Sequence, residues 1–141
     1  MNEASHFFPK TSEETMAIGS TLAKNLEKGT CVFLRGELGA GKTTFVKGMA
    51  SAFNCPQNNV SSPTFQYLHI YEGTKTMYHF DLDRVENKTS FFDLGFHEFV
   101  ESDAISCIEW PERLSTYLPK KRVEVNISHD KEGRLIEICQ K

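Results

Sequence analysis

The stretch Gly36-Glu37-Leu38-Gly39-Ala40-Gly41-Lys42-Thr43 constrains this chain more than any other. It satisfies G-x-x-x-x-G-K-[ST], a pattern that carries its meaning only where a strand hands over to a helix. The flanks meet that condition. Thr30-Cys31-Val32-Phe33-Leu34-Arg35 is a short, apolar, strand-forming run, and Phe45, Met49 and Phe53 then recur at helical spacing. Glycines in such a loop let successive backbone N–H groups turn inward around an anion. The helix that begins there points its positive end at the same place. Lys42 then acts as a point charge on the outer phosphates of a nucleotide, and the Thr43 hydroxyl is placed for Mg²⁺. The candidate nucleotide-binding residues are therefore Gly36, Gly39, Ala40, Gly41, Lys42, Thr43 and Thr44. Lys42 is expected to stand exposed while the site is empty.

A chain of 141 residues predicts a single domain spanning 1–141. Its apolar and charged fractions, 39% and 25%, are those of a globular protein rather than a disordered one. The net charge of −3 supplies no basic field, so strong direct nucleic-acid binding is not expected. The basic cluster Lys120-Lys121-Arg122 reads as a solvated entrance to a strand. Cys31, Cys55, Cys107 and Cys139 stand far apart, form no C-x-x-C pair and lie mostly in apolar runs, where a thiol acts as a small hydrophobe. The histidines are scattered too, which argues against a zinc site. The start of the chain lacks the pattern of a signal peptide, and no apolar run approaches the length of a membrane span. These features together predict a soluble, reduced, cytoplasmic protein.

Along the chain, Thr11-Ser12-Glu13-Glu14 fits a capping box, with Thr11 as N-cap and Glu14 reaching back. Ile18, Leu22 and Leu26 then mark one helical face, and Gly29 is expected to stop the helix. The segment Val60-Ser61-Ser62-Pro63-Thr64-Phe65 has two readings. It is either an ordinary turn or a switch whose hydroxyls, Thr64 included, approach the metal and terminal phosphate. Residues 65–71 alternate as a strand, and residues 76–81 form the return strand, closed by Asp81. An acid at that place matches the Walker B role, because these folds gather ligands at the carboxyl ends of strands. Phe91, Phe92 and Phe96 read as packing residues around a short helix. Residues 104–108 form a buried strand that runs into Glu109-Trp110-Pro111. Glu109 is thus a second acid after an apolar strand, able to hold Mg²⁺ or to position an attacking water. Val123, Val125 and Ile127 alternate with polar residues, and the chain closes in a hairpin over residues 123–139.

These words together resemble a known family, the bacterial tRNA threonylcarbamoyladenosine biosynthesis ATPases called TsaE or YjeE. The resemblance rests on the phosphate loop through Thr44, on Ser62-Pro63-Thr64-Phe65, on His79-Phe80-Asp81-Leu82 with Arg84, and on Ile108-Glu109-Trp110-Pro111. It runs from about residue 13 to 134. Asp83 stands where the family usually has tyrosine, and Glu37 where aspartate is common. The resemblance implies ATP or ADP with Mg²⁺ as ligands and weak hydrolysis by the isolated protein. It also implies work alongside a TsaB-like and a TsaD-like partner, the second of which performs the threonylcarbamoyl transfer onto tRNA. It puts Glu109 at the metal with Thr43, leaving Asp81 and Thr64 supporting roles near the reacting phosphate.

Other readings remain open on residues alone. A small-molecule kinase needs a second substrate pocket and an arginine-bearing lid, for which the chain has little room. A GTPase is disfavoured because Asn87-Lys88-Thr89-Ser90 lacks the guanine-reading aspartate; Asp130-Lys131-Glu132-Gly133 spells D-x-x-G but reads as the final hairpin turn. A regulatory binding module without significant turnover would use the same residues. The adenine is expected near Thr11 and Arg134, whose guanidinium can stack on a purine. The expected fold is a three-layer α/β P-loop NTPase fold. Its mixed, mostly parallel sheet has the phosphate-loop strand and the strands ending at Asp81 and Glu109 as parallel neighbours, and a C-terminal antiparallel hairpin at the edge.

Overall fold

The computed structural model describes residues 4–37, 39–56, 67–83, 88–114, 117–119 and 121–140. The switch-like segment with Thr64, and Arg84, lie outside the described residues. In chain order the elements are β1 (Ala4–Phe7), α1 (Ser12–Lys24), β2 (Cys31–Gly36), α2 (Lys42–Ala52), β3 (Leu68–Glu72) and β4 (Thr76–Asp81). Then come α3 (Lys88–Asp93), α4 (Phe96–Val100), β5 (Ile105–Glu109), a 3-10 turn (Pro111–Leu114), β6 (Arg122–Asp130) and β7 (Gly133–Gln140).

The strands form one sheet in the order β1-β7-β6-β2-β5-β4-β3. β2 lies parallel to both β5 and β6, and β5 lies parallel to β4. The carboxyl ends at Gly36, Asp81 and Glu109 therefore open on the same edge, with Asp81 and Glu109 directly paired. This is the predicted parallel core. The terminal hairpin departs from expectation. β6 joins the parallel set beside β2, and β7 turns back antiparallel to it. The edge is taken instead by β1, which pairs antiparallel with β7 and has no counterpart in the sequence reading. All of its residues are exposed, so no alternation marks it; only the unpaired edge of β7 calls it into place.

Two cores sandwich the sheet. On one face Val32, Leu34, Met77, Cys107, Val125 and Ile136 pack under Phe45, Val46 and Met49 of α2 and Leu22 of α1. On the other, Phe33, Phe80 and Ile108 meet Phe91, Phe96 and Val100 of α3 and α4 and Leu114 of the 3-10 turn. Phe91 and Phe96 are thus packing residues, Phe96 edge-on to Phe80 and Phe91 tilted against it. The two halves of this aromatic layer are separate helices, broken at Gly95 in a left-handed conformation.

α1 starts as its cap residues predict. The Thr11 hydroxyl accepts from the Glu14 N–H at 3.1 Å. The Glu14 carboxylate reaches one residue further back than a capping box requires, to the Lys10 N–H at 2.9 Å. The helix ends at Lys24 with Asn25 as C-cap, before Gly29, which turns the following loop at φ +76. α1 lies against α2 with backbones almost touching. A Cβ on Gly48 would collide with the backbone of Met16, and one on Gly19 with the Phe45 carbonyl.

Candidate nucleotide site

β2 ends at Gly36, and the chain turns through Gly39 and Gly41, both at positive φ, before α2 begins at Lys42. Only glycine takes φ values of +80 and +110 without strain. Gly41 is the N-cap of α2 and offers no side chain to its first amides. Those N–H groups are left for an anion, as helix geometry allows. Arg134, from the start of β7, grips the loop. Its Nε donates to the Ala40 carbonyl at 2.9 Å and an Nη to the Gly39 carbonyl at 3.2 Å.

That cleft has a volume of about 900 Å³. Gly36, Gly39, Gly41, Lys42, Thr43, Thr44, Asp81, Glu109 and Arg134 all line it, with Glu37, Asp83 and Trp110. The fold thus assembles, from β2, α2, β4, β5 and β7, nearly every described residue that the sequence marks for nucleotide binding. Ala40 is fully buried behind the loop. Thr11 caps α1 and is not among the lining residues, although Pro9 nearby accepts a hydrogen bond from the Arg134 N–H.

Lys42 is not exposed, contrary to expectation. Its side chain is 15% accessible, and its ammonium lies 3.4 Å from Glu109 Oε1. The phosphate-loop cation therefore sits on the acid of the neighbouring strand. The second oxygen of Glu109, Oε2, lies 2.6 Å from Nε2 of His79, which is fully buried on β4. Burial pushes the Glu109 carboxyl up, but the His79 hydrogen bond and the charges of His79 and Lys42 outweigh it and hold the group below its ordinary range. Glu109 is thus a carboxylate with both oxygens engaged and only 4% of its surface accessible.

Asp81 is more open. One of its oxygens accepts from the Asp83 N–H at 3.0 Å, closing the turn after β4. Trp110, immediately after Glu109, has φ +59 and is 43% exposed on the cleft rim. It is not a core residue. The turn that carries it is tied down on both sides: Arg113 lies over its ring and donates to the Asp83 carbonyl, and Arg35 of β2 binds Glu112 at 2.8 Å.

His79 belongs to the sequence word shared with the family, yet residue reading gave it no role. A signal was present: period-two alternation puts His79 on the same sheet face as Asp81. What no spacing could show is that the face of β4 looks across to Glu109.

Hard oxygen donors suit Mg²⁺, and Thr43, Glu109 and Asp81 bring such donors to one cleft beside a phosphate loop. The donor set fits that ion.

A strand–glycine loop–helix on a parallel sheet, with acids at the neighbouring strand ends, defines the P-loop class of three-layer α/β proteins. Comparison with known proteins narrows the class. The profile of threonylcarbamoyl adenosine biosynthesis protein TsaE matches residues 9–136. The chain belongs to that family. It is 38% identical to the tRNA threonylcarbamoyladenosine biosynthesis protein TsaE of Treponema pallidum, over 84% of this chain and 87% of the relative. It is 36% identical to that of Bacillus subtilis, over 82% and 72%. The crystal structure of YdiB from Bacillus subtilis superimposes with a TM-score of 0.80 at 27% identity, covering 99% of this chain and 87% of that one.

Proposed function

We propose that this protein binds ATP and ADP with Mg²⁺, hydrolyses ATP slowly, and supports formation of threonylcarbamoyladenosine in tRNA together with TsaB-like and TsaD-like partners. The observation that carries the nucleotide part is the cleft itself. An uncapped helix start, two left-handed glycines and Lys42 converge there with Thr43, Asp81 and Glu109. The names of the relatives carry the tRNA part, and such a role belongs in the cytoplasm.

In this reading the loop amides and Lys42 take the β- and γ-phosphates, with Arg134 bracing the loop through its carbonyls. Thr43 and Glu109 would hold the metal, and Asp81 would support it from beside them. When bound, Mg²⁺ neutralises phosphate charge as the terminal bond breaks. To reach a phosphate, Lys42 leaves Glu109 Oε1, and that oxygen becomes available to the occupied site. Thr64 is the candidate switch hydroxyl, and stacking of Arg134 near Thr11 the candidate adenine contact.

Thermal shift with ATP, ADP and GTP, each with and without Mg²⁺, tests the reading. Adenine nucleotides should raise the midpoint by several degrees in the presence of Mg²⁺, and GTP should raise it less, because binding to the folded state alone stabilises in proportion to RT ln(1 + [L]/Kd). No shift with any nucleotide would overturn it. Phosphate release with and without the partner proteins then separates an ATPase from a passive nucleotide-binding module.

A further inference from the structure

We infer that His79 is a positioning residue for Glu109: it anchors one carboxylate oxygen permanently so that the other can exchange Lys42 for the contents of the occupied cleft. The inference rests on the nucleotide reading above.

The two oxygens of Glu109 have different kinds of partner. Oε1 faces Lys42, whose long flexible stem can carry its ammonium to a phosphate. Oε2 faces His79 Nε2, which cannot move in that way. The imidazole is fully buried on the interior strand β4. Its face and edge are set by neighbouring rings on β3, Tyr71 at 6.2 Å and His69 nearly perpendicular at 6.5 Å. His69 and Tyr71 are themselves hydrogen-bonded to each other at 3.1 Å. Rotating the imidazole would disturb all three rings.

At 2.6 Å the contact is a hydrogen bond in which the His79 Nε2–H donates and the carboxylate oxygen accepts. The other ring nitrogen, Nδ1, is buried with no hydrogen-bond partner among the described residues. Among the described residues the ring therefore makes its one hydrogen bond through Nε2. That is the pattern of a ring oriented for one bond rather than of a generally satisfied core histidine.

The arrangement solves a specific difficulty. A terminal carboxylate torsion is broad, so a glutamate with one mobile partner would turn when that partner left. With His79 in place, the departure of Lys42 leaves Glu109 aimed. Partners that orient a metal-binding carboxylate typically influence activity about 10–100-fold when removed.

The test combines a spectroscopic readout with two variants. In uniformly ¹⁵N-labelled protein, the His79 Nε2 should show the shift of a protonated nitrogen, both in the empty protein and with ADP and Mg²⁺. A non-protonated Nε2 in either state overturns the inference, whatever becomes of the variants. His79→Leu removes the donor, and His79→Gln returns an N–H near the Nε2 position. The Leu variant should lower kcat about 10–100-fold with KM for ATP changed less than about 3-fold, and the Gln variant should recover most of the loss. An unchanged kcat in His79→Leu, a loss confined to KM, or a folded Gln variant as slow as the Leu variant each overturn it. If the wild-type protein bound no nucleotide, the proposed function would fall, while the spectrum of the empty protein would still report the contact.

Discussion

The pair of Lys42 and Glu109 gives the lysine of the glycine loop a carboxylate partner. Lys42→Ala therefore removes two things. It deletes the cation that the proposed function gives to the phosphates, and it leaves Glu109 buried with His79 alone. Nucleotide affinity should fall at least about 100-fold, and stability should drop by about 1–2 kcal/mol, the scale of a charged hydrogen bond lost from a partly satisfied group. Calorimetry with ATP and a urea titration measure the two losses; wild-type affinity would remove Lys42 from the site. Glu109 and Asp81 separate on metal dependence. Glu109→Gln should retain much of the nucleotide affinity, raise the Mg²⁺ midpoint for ATP binding and lose most hydrolysis, since the phosphate loop is intact but the best-placed carboxylate is neutral. Asp81→Asn should shift the midpoint less, because Asp81 also serves the turn at Asp83. A Mg²⁺ titration of both variants checks the order, and a larger shift in Asp81→Asn reverses the assignment.

At the scale of elements, α1 and α2 approach each other most closely at glycines. A methyl on Gly48 meets the backbone of Met16, which no rotamer change can move aside. Gly48→Ala gains up to about 1 kcal/mol of helix propensity, yet its overpacking cost of about 1–3 kcal/mol should prevail, giving a net loss of stability. Chemical denaturation reads it directly; an unchanged or raised midpoint would mean that the helices part without cost. The elements also show where sequence was legible. Strands β2, β4 and β5 and the starts of α1 and α2 stand out because buried strands, caps and phosphate loops each leave a local mark. The Lys131-Glu132 connection between β6 and β7 is tighter than expected, because strand pairing continues outward as far as Asp130 and Gly133. β1 left no mark, since a short exposed strand exists only through its neighbour.

Across the whole molecule, Arg35 of β2, Arg122 and Glu124 of β6 and Glu112 beyond β5 form one charged network. Burial pushes the Glu124 carboxyl up, but its bonds to Arg122 and Arg35 overcome this and hold it below the ordinary value of 4.5. A carboxyl depressed in the folded state contributes stability that is complete above its unfolded pKa and is lost as pH falls through the folded one. Glu109 has the same sign. Stability should thus be level from neutrality to about pH 5 and decline below about 4.5. Glu124→Gln should be less stable than wild type at pH 6 and approach it at pH 3. Urea midpoints at the two pH values check this, and a constant gap would exclude Glu124 as a source of the decline. Sequence by itself determined the strand–loop–helix, the two acids after apolar strands and the family, because each rests on residues close together in the chain. Only the tertiary structure decided that Lys42 begins on Glu109, that His79 takes the other oxygen, that Arg134 braces the loop and that β1 closes the edge. Those contacts join residues tens of positions apart, and their geometry depends on strand order and register, which local pattern does not encode.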